Sequence, residues 1–111
     1  MPKAARKSSK TSVRSKLQAA VVCNATPEPG PFTFPAGGGE FFVLVSYPTG
    51  PDACSYTAKS TVRWMTATPR ISEFDVKLAP NRRKAAREGV VIVQGQGNAT
   101  KHKVTIRQSG R

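Results

Sequence analysis

Residues 40–47 read EFFVLVSY, and the way this stretch is read decides the fold. Phe41, Val43, Val45 and Tyr47 fall on one side of an extended chain, and Phe42, Leu44 and Ser46 on the other. With large apolar residues on both sides, the stretch is expected to be a central strand with both faces largely covered. Upstream, Pro27, Pro29, Pro31, Pro35, Gly30 and the triplet Gly37 to Gly39 exclude a helix. Downstream, PTGPD (48–52) turns the chain.

The rest of the body repeats the theme. CSYTA (54–58) and VRWMT (62–66) are short runs rich in aromatic or β-branched residues, at the spacing of all-β proteins. SEFDVKLAP (72–80) alternates cleanly, with Phe74, Val76 and Leu78 inward and Glu73, Asp75 and Lys77 outward, which predicts a half-buried strand. GVVIVQG (89–95), a GQGN turn and HKVTIRQSGR (102–111) predict a terminal hairpin. PNRRKAAREG (80–89) is the one stretch with helical character: Asn81 is a candidate cap and Gly89 a candidate stop. Without an apolar face it is expected to be a loop with at most one helical turn. The predicted class is all-β, an immunoglobulin-like antiparallel β-sandwich of about seven strands.

The chain of 111 residues divides into a basic N-terminal arm, residues 1–17, and a body, residues 18–111. Lys3, Arg6, Lys7, Lys10, Arg14 and Lys16 of the arm meet no acid before Leu17 and supply +6 of the formal net charge of +12. Such a segment does not fold alone, and it is expected to seek a polyanion. The patch LQAAVV (17–22) is broken by Gln18 and is expected to be a first short strand rather than the core of a signal peptide. No run approaches the roughly 20 apolar residues of a membrane span, so no membrane partner is expected. On that basis Cys23 and Cys54 are expected to be reduced and buried; a bridge becomes the better reading if the arm serves export.

Several features look like the BACON domain, an immunoglobulin-like sandwich. These are the Phe-rich start, AGGGEFFVLV, CSYTA, RWMTAT, APNRRKAAREGVVIV and VTIRQSG, spanning about residues 31–110. The most specific are Gly37 to Gly39, Trp64 with Met65, Asn81 with Arg87, and Gln108 with Gly110. The chain departs from the family at Tyr56, where a Trp is common, and at TPRISEF, where the family often has a glycine-rich run. The resemblance implies a sandwich with Trp64 in its core, and a spacer or adhesion role in exported proteins or a place in proteins of tailed phages.

Chemistry is sparse. His102 is the one histidine, on an alternating strand beside Lys101 and Lys103, and one histidine with two distant cysteines assembles no metal cluster or nucleophilic triad. Neither catalysis nor a cofactor is expected. Tyr47 and Tyr56 are the candidates for weak glycan contact, and Arg82, Arg83, Lys84 and Arg87 form a second basic patch. The sequons at Asn24 and Asn98 are discounted without an export signal. Together these readings predict a non-enzymatic virion structural protein, a capsid auxiliary or decoration protein of a tailed bacteriophage. It would be assembled in the host cytoplasm and anchored through its arm to the major capsid protein or another virion protein. The alternatives are a nonspecific nucleic-acid-binding protein, with the arm on phosphates, or a carbohydrate-binding or adhesion module.

Overall fold

A computed structural model describes residues 22–49 and 53–111. The six arm cations, most of LQAAVV and the centre of the PTGPD turn lie outside the described residues. Eight strands form: β1 (Thr26–Pro27), β2 (Phe32–Phe34), β3 (Gly39–Ser46), β4 (Tyr56–Ser60), β5 (Met65–Pro69), β6 (Glu73–Leu78), β7 (Arg87–Gly95) and β8 (His102–Gln108). They build two four-stranded sheets, ordered β1-β3-β6-β5 and β2-β8-β7-β4. The all-β sandwich expected from the alternation is what forms, with one parallel pair, β2 on β8, in the second sheet.

The core lies between the sheets. Val43, Val45, Met65, Phe74, Val76 and Leu78 face inward from the first sheet, and Tyr56, Ala58, Val91, Val93, Val104 and Ile106 from the second. The glycine triplet is needed for the entry to β3. Gly38 has φ +78°, and a Cβ there would lie 2.4 Å from the Leu78 carbonyl oxygen. The β7–β8 hairpin turns at Gly97, φ +75°.

Three expectations need correction. β3 is covered on one face only: Phe42 and Leu44 point outward at 59% and 51% exposure. Its neighbours are edge strand β1, which spans only two residues, and β6, so nothing lies over that face among the described residues. Residues 80–86 form the expected loop, but Asn81 and Gly89 do not serve there as the cap and stop of a helical turn. Asn81 is buried and binds the tertiary structure, and Gly89 lies inside β7, where a Cβ would come within 2.6 Å of Val62. Finally, Cys23 and Cys54 are disulfide-bonded, with Cα atoms 5.7 Å apart. The bridge, the alternative to the reduced pair expected from the sequence, closes a separation of 31 residues.

Candidate functional site

Two ends of the sandwich gather the polar side chains. At the end formed by the start of β7 and the finish of β8, Gln108 is fully buried. Its amide nitrogen donates to the carbonyl oxygen of Ala79 at 2.8 Å and to those of Pro35 and Ala36 at 3.3 Å, while its oxygen accepts from Arg87 Nε at 2.7 Å. Arg87 further donates to the carbonyls of Ala79 and Pro80 at 3.0 and 3.2 Å and stacks its guanidinium on Trp64, 4.4 Å from the ring centroid. Asn81 donates to the carbonyls of Ala85 and Ser109 and accepts from the Arg83 N–H. Gly110 fits beneath this loop because a Cβ would lie 1.7 Å from the Lys84 carbonyl oxygen.

Of the residues singled out as most specific in the sequence, Trp64, Asn81, Arg87, Gln108 and Gly110 meet at this end, while Met65 lies in the core and Gly37 to Gly39 lead into β3. The bonded side chains at this end satisfy one another, and what they accomplish is the closure of the sandwich. A buried polar network with every member bonded fixes one arrangement of the surrounding backbone. Trp64 is half-buried against the core, with one ring face taken by Arg87.

This geometry divides the predicted second basic patch. Arg87 turns back onto the body, while Arg82, Arg83 and Lys84 remain exposed. Arg111 joins them, since its N–H donates to the Arg83 carbonyl and its guanidinium to the Arg82 carbonyl. Sequence proximity grouped Arg87 with the loop; it belongs to β7, and only the pairing of β7 with β8, Arg87 opposite Gln108, reveals its role.

The opposite end carries the disulfide. Cys23 donates its N–H to the Gln96 carbonyl, and Asn98 donates to the Cys23 carbonyl and to Asn24 Oδ1, both at 3.1 Å. Both sequon asparagines spend their amide nitrogens inside this cluster, since Asn24 donates to Thr49. Tyr56 is buried, and its hydroxyl donates toward the carbonyls of Arg70 and Glu73 at 2.6 and 2.8 Å, joining β4 to the β5–β6 turn across the sandwich. Burial pushes its phenol above the ordinary value, against a smaller downward pull from the Arg70 N–H, which donates to the phenol oxygen at 3.1 Å. Tyr47 is half-buried with its hydroxyl on the Ile71 carbonyl, and burial raises its phenol also. Tyr56 thus presents no ring face to a glycan, and Tyr47 presents only a rim.

An open depression of about 720 Å³ lies beside this end, lined by Ser55, Thr57, Gln94, Gln96 and Asn98. It holds amides and hydroxyls but no charged group, and Tyr56 touches it without an exposed ring. His102 is half-buried at the start of β8, opposite Val93. Among the described residues no group of three or more His, Cys, Asp or Glu side chains converges.

No protein-family model matches the chain, and no curated protein matches it. Two solved structures share the fold. A module of a Bacteroides ovatus GH5 xyloglucanase, solved in complex with a XXXG heptasaccharide, superposes with a TM-score of 0.61 at 16% identity over 79% of this chain. The chain spans 19% of that enzyme's length. A protein from Bacteroides thetaiotaomicron, solved by NMR, superposes with a TM-score of 0.53 at 16% identity, covering 83% of this chain and 85% of its own. At such identity the likeness establishes the β-sandwich and nothing of what the protein does.

Proposed function

We propose that this protein is a non-enzymatic structural component of a viral particle, a capsid auxiliary or decoration protein of a tailed bacteriophage, with a BACON-like sandwich as its body and the basic arm as its tether. The observation that carries the reading is the use made of the polar side chains. At both ends they are consumed in joining the two sheets, which leaves a stiff body whose remaining chemistry is charge. The arm's six cations then supply attachment to an acidic protein surface, and repetition over many copies converts weak contacts into firm ones. A disulfide suits a component that works outside a reducing cytoplasm, as a released particle does.

The deciding experiment is co-sedimentation with purified particles, comparing the full chain with one lacking residues 1–16. Full-length protein in the pellet and shortened protein in the supernatant is the expected result. If neither pellets and the full chain is instead retained on DNA, nucleic acid is the partner. In that case log affinity falls against log salt with a slope of about −5 for six phosphate contacts.

A second reading is favoured by the disulfide and by the likeness to a module of a xyloglucanase: a detached adhesion or carbohydrate-associated module. Intact mass of the protein from its native source separates the two, because that reading requires loss of about the first twenty residues by processing.

A further inference from the structure

Among the described residues, the outer face of β3 is the one place where the body leaves sizeable apolar side chains in a row. Phe42 and Leu44 stand 59% and 51% exposed, and Ile71 at the β5–β6 turn is 72% exposed. Acids outnumber cations around them. Across the β3–β6 pairing Phe42 lies opposite Asp75 and Leu44 opposite Glu73, while Glu40, two residues before Phe42 on the same face, lies opposite the exposed Lys77. Glu28 is fixed beside them, its N–H donating to the Leu44 carbonyl. Of the acids among the described residues, only Glu88 belongs to the other sheet. Asp75 is paired with Arg70; Glu28, Glu40 and Glu73 have no ion-pair partner among the described residues.

The same region has an open strand edge. β1 pairs with β3 only at Val45 and Ser46, and the chain leaves that edge after Glu28, at Pro29. In an antiparallel ladder alternate residues direct their N–H and C=O groups to the same side, so Phe42 and Glu40 present theirs where Leu44 does, away from β6. No strand among the described residues pairs with them there. An unpaired edge beside an exposed apolar pair is a template for strand addition.

We propose that this face and edge receive the basic arm, residues 3–17, of a second copy of the protein. The arm carries a net +6 to the acidic rim; extended, it places Val13 and Leu17 on one side together with Lys3 and Lys7, to meet the Phe42–Leu44 pair, and it has no Pro or Gly to interrupt a ladder of backbone hydrogen bonds. Direction selects a second copy, because the chain's own arm would have to double back past β1 to run along the open edge. The chain enters the described body at Val22, next to Cys23, whose N–H is bonded to Gln96. That point lies beyond the Ser46 end of β3, and the open edge lies toward Glu40. The contact is heterologous, arm of one molecule on sheet of the next, so copies link head to tail. It rests on the preceding reading only in taking the arm as the tether and requires no particle.

The test uses the purified full-length chain, mixing equal amounts of unlabelled and heavy-nitrogen-labelled protein, followed by zero-length carbodiimide cross-linking and mass spectrometry. The expected result is links from Lys3, Lys7, Lys10 or Lys16 to Glu40, Glu73 or Asp75, in mixed-isotope pairs and several-fold more abundant than links to Glu88. The double variant Phe42→Ser, Leu44→Ser should reduce these links several-fold while leaving the acids and the circular dichroism spectrum intact. Links spread equally onto Glu88, links confined to same-isotope pairs, or links indifferent to the double variant each overturn the proposal. Because no particle enters the assay, such failure leaves co-sedimentation to be judged separately.

Discussion

The two ends of the sandwich are closed by opposite means. At one, Cys23 and Cys54 make a covalent bond across a loop of 31 residues, with Asn98 and Asn24 arranged around it. At the other, Gln108, Arg87, Asn81 and Trp64 reach the same result with hydrogen bonds and a stacked cation. The covalent end depends on the redox environment and acts chiefly by restricting the unfolded chain. The polar end depends on every partner being present, because a buried group left alone bears its full desolvation cost.

Breaking the covalent end should have the largest effect. Loop closure over about 30 residues is worth roughly 4 kcal/mol, so Cys23→Ser with Cys54→Ser should lose about that much. The urea m-value should rise as the unfolded state expands. Breaking the polar end by Gln108→Leu should cost about 3 kcal/mol, since Arg87 Nε and the Ala79 carbonyl lose a buried partner. Here the urea midpoint should fall with the m-value unchanged, and that difference distinguishes the two closures.

A smaller effect sharpens the comparison through pH. The Tyr56 phenol is held above its ordinary value near 10 in the folded protein, so the neutral form is the one the fold favours. Its contribution is fully present below the unfolded value and is lost as pH rises through the higher folded value. Stability should therefore decline above about pH 10, and Tyr56→Phe should flatten that decline while costing about 1 kcal/mol at neutral pH. The smallest effect belongs to the outer face of β3. In the dilute monomer, Phe42→Ser with Leu44→Ser should change stability by less than about 0.5 kcal/mol per site, as expected of exposed positions. A large loss there would mean that the chain covers this face with its own residues.

What could be read from the sequence follows the same physical lines. β6 and β8 were legible because their outward positions are polar, Glu73, Asp75 and Lys77 in one and Lys103 and Arg107 in the other, so composition and pleat alternate together. β3 misled because its outward Phe42 and Leu44 are apolar, and a strand apolar on both sides reads as doubly buried whether or not a second layer exists. The disulfide could be read only as an alternative, and the Arg87–Gln108 bond not at all, for another reason. Each joins residues distant in sequence, 31 and 21 positions apart, and only strand order and register bring them together. Tyr56 was taken for a surface aromatic because nothing local announces that its hydroxyl will find two carbonyls across the core.

The parallel pairing of β2 with β8 sets the order in which this chain can fold. Phe32 to Phe34 align with Ile106 to Gln108, so the second strand has no place in its sheet until residues more than seventy positions later have been synthesised. Contacts of such separation are closed late and slowly. On the ribosome the emerging chain must therefore wait with its early phenylalanines uncovered, and the emergence of β8, rather than formation of the first hairpins, is the moment at which the sandwich becomes a single cooperative unit.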